Sequence, residues 1–189
     1  MLRVWRLLVA TSAFVGFGYA VATFHEPWHA LSQQASLVAG VVYVGLAVLG
    51  PRAEVLATWL RGGMAVLLAL VCVTYLTVID GDLDTTASLF EHLVTPVLVL
   101  ADWVLGGRTR AVRWWYPLSW VIFPAAYLTY FVLADVRLYR SFLDPGAADF
   151  GVTVAEFLAA LVAAGYVLYG IAKVRGPAPR PALAPEEAR

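Results

Sequence analysis

Apolar residues fill six long stretches of this chain, and Gly, Pro or charged residues separate them. The stretches cover residues 4–23, 29–49, 59–79, 88–105, 114–134 and 152–174. A helix needs about 20 mostly apolar residues to cross the hydrocarbon core of a membrane, and each stretch is near that length. Strands of a membrane β-barrel would instead show ten-residue segments of alternating polarity. The pattern therefore predicts an all-α, polytopic membrane protein whose residues 1–175 form a six-transmembrane-helix bundle.

The composition of the chain agrees with a membrane protein. Only 14% of the 189 residues are charged and 61% are hydrophobic, whereas about a quarter of the residues in a soluble domain are charged. Thirteen basic and thirteen acidic residues cancel, so no net charge attracts nucleic acid. A single cysteine, Cys72, excludes an intrachain disulfide. Residues 176–189 are rich in Pro and Ala, and we expect them to form a disordered cytoplasmic tail.

The distribution of basic residues predicts how the bundle is oriented. Eleven of the thirteen Lys and Arg residues flank one side of the predicted spans, and only Arg137 and Arg140 lie on the other. Because cytoplasmic loops carry the excess of basic residues, we expect both termini in the cytoplasm and the protein in the cell membrane. A rival interpretation treats the first stretch as a signal peptide cleaved near Ala22. The stretch is longer than a usual signal core, which favours its retention.

Four ionisable residues are the intramembrane candidates, and a charge inside a span is costly and indicates function by default. They are Glu91, His92, Asp102 and Glu156. At a rise of 1.5 Å per residue, His92 and Glu156 lie roughly 6 Å below the outer ends of their spans. Ser32 lies at a similar depth on the second span. Three separate spans are thus expected to bring polar side chains to one level near the outer leaflet.

His92 is the most informative of these residues. Pro96 follows it by four positions and has no backbone N–H, which leaves the His92 carbonyl without its helical partner and predicts a kink. Asp102 falls on the same helical face as His92. The simpler alternative is that Glu91 and His92 only form hydrogen bonds that hold helices together.

Ser32 also has a simpler interpretation. It is part of a stripe of small residues with Ser36 and Gly40, spaced four residues apart. Such stripes usually let two membrane helices approach closely. On this interpretation the serine is a packing residue without a chemical role.

Histidines near the second span suggest metal or haem chemistry only weakly. Residues 25–29 read His-Glu-Pro-Trp-His, which matches the H-E-x-x-H zinc pattern. That pattern needs a regular helix, and Pro27 disfavours one. Haem binding through His25, His29 or His92 is a further alternative, although the first two lie at a loop boundary. We therefore expect no metal and no cofactor.

Residues 91–103, EHLVTPVLVLADW, resemble the histidine, proline and Asp-Trp signature of the bacterial Pr6Pr family of membrane proteins. These are six-span relatives of the eukaryotic androgen-induced protein and androgen-dependent TFPI-regulating protein family. Residues 31–37, 120–127 and 139–144 resemble other parts of the family more loosely. The eukaryotic relatives hydrolyse fatty acid esters of hydroxy fatty acids with an intramembrane threonine and a histidine. The resemblance implies that Ser32 occupies the threonine position and His92 that of the histidine.

The matching depths of the polar residues and the family resemblance lead to one chemical hypothesis. A serine and a histidine at equal depth on separate spans suit a nucleophile and its base. Ser32 would attack an acyl ester while His92 takes its proton. Gln33 or Gln34 would stabilise the oxyanion. Glu91 and Glu156 are the possible partners of the histidine.

The predicted function is therefore an intramembrane serine/threonine-type hydrolase of fatty-acyl esters that acts on lipid and not on nucleic acid. Two alternatives remain open. The first is a proton-linked carrier of small molecules that uses His92, Glu156 and Asp102, although the chain shows no internal repeat of the kind found in many carriers. The second is a membrane protein of the same fold without catalytic activity.

Overall fold

The computed structural model describes residues 2–49, 54–105 and 112–174, and the tail predicted at residues 176–189 lies outside them. Within these ranges the chain is helical and contains no strand. The helices are α1 (Leu2–Thr23), α2 (Leu31–Leu49), α3 (Glu54–Thr77), α4 (Thr86–Leu89), α5 (Thr95–Leu105), α6 (Tyr116–Ser119), α7 (Ile122–Leu133) and α8 (Phe150–Val174). A π-helical turn, Phe90–Val94, joins α4 to α5.

Among the described residues, six helical segments are long and apolar enough to cross a membrane. They are Leu2–Thr23, Leu31–Leu49, Leu56–Thr77, Thr86–Leu105, Tyr116–Leu133 and Phe150–Val174. The prediction of an all-α bundle with six spans is confirmed, and its boundaries differ by a few residues. The orientation stays a prediction, because many of the basic residues that support it lie outside the described ranges. We call the end with connections 24–30, 78–85 and 134–149 the upper end, and the opposite end the lower end.

Close packing of small and aromatic residues holds the helices together. A side chain at Gly40 would meet the ring of Phe14 at 2.6 Å, so glycine lets α1 and α2 approach each other. At Gly62, an added Cβ would lie 2.0 Å from the Trp120 ring. Part of the small-residue stripe on α2 therefore does serve packing, as one interpretation of the sequence predicted.

A buried polar cluster joins three helices in the lower half of the bundle. The Nε atom of Arg61 donates to Asp102 Oδ2 at 2.6 Å, and its Nη2 atom donates to the Asp102 carbonyl. The Tyr43 hydroxyl donates to the same carboxylate at 3.1 Å. Asp102 was expected to support the site around His92, but its carboxylate is held by Arg61 and it does not line the upper cavity described below. Arg61, which the sequence suggested as a flanking residue, lies inside the bundle with 3% of its surface exposed.

A π-helical turn, Phe90–Val94, lies directly before the part of the fourth span where the sequence predicted a kink at Pro96. The N–H of Thr95 bonds to the Phe90 carbonyl, five residues earlier. Pro96 is the second residue of α5, and the π-helical turn runs directly into that helix. Pro96 itself does not line the upper cavity.

Candidate active site

A cavity of about 1150 Å³ opens at the upper end of the bundle. Residues from all three upper connections line its mouth, and side chains of α2, α3, α4, α7 and α8 form its walls. The walls are mostly apolar, and the volume suits a ligand of drug-like or lipid-like size. Ser32 and His92 both line this cavity. The sequence predicted this shared location from their matching depths on two spans.

Glu91 is the hydrogen-bond partner of Ser32. The Ser32 hydroxyl donates to Glu91 Oε2 at 3.1 Å, and both side chains are buried. The sequence predicted His92 as the contact. Consecutive residues of the π-helical turn point in different directions, so Glu91 and His92 do not face Ser32 equally. The rotation of the fourth span directs Glu91 toward Ser32.

Glu91 fits against a glycine of α1. Only 2% of its surface is exposed, and a Cβ added at Gly16 would lie 3.0 Å from Glu91 Cγ. The same added atom would lie 3.1 Å from Cβ of Phe90. Glycine therefore provides the space that the carboxylate side chain occupies. The contact between Gly16 and Glu91 could not be predicted from spacing along the sequence, because the contact depends on how α1 packs on the π-helical turn.

His92 is held in one orientation by two contacts. Its Nδ1 atom lies 3.1 Å from the Ser88 carbonyl, which can only accept, so Nδ1 carries the proton and Nε2 is left as an acceptor. Its ring stacks on Tyr75 with 3.5 Å between centroids and 10° between planes. A fixed ring with a free acceptor nitrogen is suited to taking a proton inside the cavity.

Two tyrosines tie the upper loops to the start of α2. The Leu31 N–H donates to the Tyr139 hydroxyl at 3.1 Å, and the Tyr127 hydroxyl donates to the His29 carbonyl at 2.7 Å. Both tyrosines line the cavity. Burial raises the pKa of Tyr139 to about 12, so this phenol stays neutral. The sequence did not predict these tyrosines as site residues, although Tyr139 begins one of the loosely resembling segments.

The other predicted supporting residues separate into two groups. Gln33 lines the cavity and is 6% exposed. Gln34 points elsewhere and donates to the Trp28 carbonyl at 2.7 Å. Glu156 is exposed and does not line the cavity, whereas its neighbour Phe157 does. The structure therefore brings Gln33 to Ser32, Glu91 and His92, and it leaves Gln34 and Glu156 outside.

The string at residues 25–29 lies in a turn instead of a helix. Glu26 Oε2 and His29 Nδ1 lie 2.9 Å apart. The two histidines therefore do not share a helical face, which the zinc mechanism requires. Their place is at the mouth of the cavity.

Comparisons with protein-family models, curated proteins and solved structures found no match for this chain. Membership of the Pr6Pr family consequently stays a prediction from the quoted residues. The chemistry of the cavity has to be argued from its own geometry.

Proposed function

We propose that this chain is an intramembrane hydrolase of fatty-acyl esters, related to the Pr6Pr family and placed in the cell membrane with both termini in the cytoplasm. One observation carries the proposal. A buried serine hydroxyl donates to a buried carboxylate beside a large, mostly apolar cavity that also contains a histidine. A hydroxyl whose proton already points at a base can act as a nucleophile.

The first half of the reaction uses Ser32 and Glu91. The Ser32 Oγ atom attacks the ester carbonyl, and its proton passes to Glu91 Oε2 along the existing hydrogen bond. The carbon–oxygen bond of the ester then breaks, and the leaving alcohol takes that proton. An acyl chain remains bonded to Ser32.

The second half uses His92 and water. A water molecule attacks the acyl-serine, and Nε2 of His92 takes one of its protons. When the acyl–oxygen bond breaks, His92 returns the proton to Ser32 Oγ. The products are a fatty acid and an alcohol, and the side chains recover their starting protonation.

The proton-linked carrier receives less support from the geometry. It would use His92, Glu156 and Asp102, and the structure does not place these three together. Asp102 is paired with Arg61 in the lower half, and Glu156 is exposed on α8. A carboxylate held by an arginine already has a partner for its charge.

A fluorophosphonate probe tests the proposed function, because an activated hydroxyl attacks phosphorus as it attacks a carbonyl. The purified wild-type protein in detergent should be labelled, and Ser32→Ala should remove the label. Glu91→Gln should slow labelling by about 10²–10⁴-fold, the usual contribution of a general base. Ser36→Ala is the matched control, since Ser36 is a buried serine one turn further along α2.

Three results would contradict this mechanism. Labelling that persists in Ser32→Ala would place the nucleophile elsewhere. Equal rates for Glu91→Gln and wild type would remove Glu91 as the base. A wild-type protein that neither reacts with the probe nor hydrolyses long-chain esters would rule out the hydrolase.

A further inference from the structure

Two buried oxygen atoms beside the cavity lack a hydrogen-bond partner within the described part of the chain. They are Glu91 Oε1 and Gln33 Oε1. Both residues line the cavity, and their exposed fractions are only 2% and 6%. A buried acceptor without a donor is unfavourable and calls for an explanation. Since both atoms are acceptors, a ligand that satisfies them must donate hydrogen bonds.

The carboxyl group of Glu91 has no cationic partner among the described residues, since its hydrogen bond comes from the neutral Ser32 hydroxyl. One acidic group nearer the mouth differs in this respect. Asp135 contacts both Arg137 and Arg140. Asp82 adds a further carboxylate at the mouth. The interior of the cavity therefore favours a positive ligand group.

Aromatic and aliphatic side chains complete the surroundings of this carboxylate. Rings along the cavity wall include Tyr75, Tyr127, Tyr139, Phe142 and Phe157. Aromatic faces attract organic cations within about 6 Å. The apolar wall between the interior and the mouth can accommodate an alkyl chain.

We propose that the inner part of this cavity binds the primary ammonium group of a single-chain amphiphile. Its N–H groups donate to Glu91 Oε1 and Gln33 Oε1, and its alkyl chain follows the apolar wall toward the mouth. This inference goes beyond the proposed function, because it requires binding and no hydrolysis. Ser32 lines the same cavity.

The test uses the full-length protein in nanodiscs of zwitterionic lipid, with empty nanodiscs to subtract partitioning. Calorimetric titration with n-octylammonium should give saturable binding. Octanoate, 1-octanol and octyltrimethylammonium should each bind at least tenfold more weakly, because they lack the charge or the N–H donors. Glu91→Gln should weaken octylammonium binding by tenfold or more, and Gln33→Leu by several-fold.

Two matched controls are available in the chain. Gln34→Leu changes the neighbouring glutamine, whose side chain is bonded to Trp28 outside the cavity. Glu156→Gln changes an exposed carboxylate within a span. Both variants should bind octylammonium like the wild type. If Glu91→Gln does not fold, the ligand series on the wild type and the Gln33→Leu variant still decide the question.

Several outcomes would overturn the inference. Octanol or octanoate binding as tightly as octylammonium would show that charge does not select the ligand. If sodium chloride displaces octylammonium at equal concentration, the result would indicate a site for an inorganic cation. Fluorophosphonate labelling reports separately on hydrolysis. A protein that binds octylammonium but is not labelled would support the ammonium site and contradict the hydrolase. A protein that is labelled but does not bind octylammonium would support the hydrolase and contradict the ammonium site.

Discussion

Replacing Arg61 with methionine should destabilise the bundle by about 3–5 kcal/mol, the range for a buried ion pair that loses one partner. Asp102 has no exposed surface, and the substitution removes its bonds from Arg61 Nε and Nη2. Methionine keeps much of the apolar volume, so the loss comes mainly from the stranded carboxylate. The remaining donor is the Tyr43 hydroxyl at 3.1 Å, and the other carboxylate oxygen, Oδ1, already lacks a partner among the described residues.

An exposed ion pair provides the matched control. Arg140 contacts Asp135 in the upper connection, where the two side chains are 40% and 65% exposed. Arg140→Met should lose less than about 1 kcal/mol, since water already solvates both charges. The free energy of unfolding can be measured by titrating mixed micelles with sodium dodecyl sulfate and following tryptophan fluorescence.

A double variant separates the ion pair from other effects of the substitution. Arg61→Met combined with Asp102→Leu leaves no uncompensated carboxylate. The double variant should therefore lose less free energy of unfolding than the two single variants lose when their losses are added. The reasoning is refuted if Arg61→Met and Arg140→Met lose the same free energy. It is also refuted if the two single changes add without coupling.

Three further predictions concern the packing and the topology. Gly16→Ala should slow fluorophosphonate labelling, because its Cβ would lie 3.0 Å from Glu91 Cγ. Gly18→Ala is the control and should leave the labelling rate unchanged, because a Cβ there would have no atom within 4 Å. Equal labelling rates for the two variants would refute the contact between Gly16 and Glu91. Reporter domains fused after Asp82 and after Arg110 should report opposite sides of the membrane, and a result on the same side would contradict the span count. The mass of the protein purified from membranes should include the first span, because α1 packs inside the bundle; a product shortened by about 22 residues would identify a signal peptide.

The sequence alone determined the number, length and approximate boundaries of the spans. In lipid every backbone polar group must be satisfied within its own segment, so a long apolar stretch has few alternatives to a helix. Depth along each span followed from the constant rise per residue. Ser32 and His92, which this reasoning places at one level, line the same cavity.

The tertiary structure decided which way each side chain faces. Gln33 and Gln34 are consecutive, yet the first lines the cavity and the second bonds to Trp28. Glu91 instead of His92 meets the Ser32 hydroxyl. Arg61 pairs with Asp102, 41 residues away in the chain. Rotation of a membrane helix about its axis depends on the shapes of its neighbours, because lipid is as apolar as most of the side chains and exerts little preference between faces.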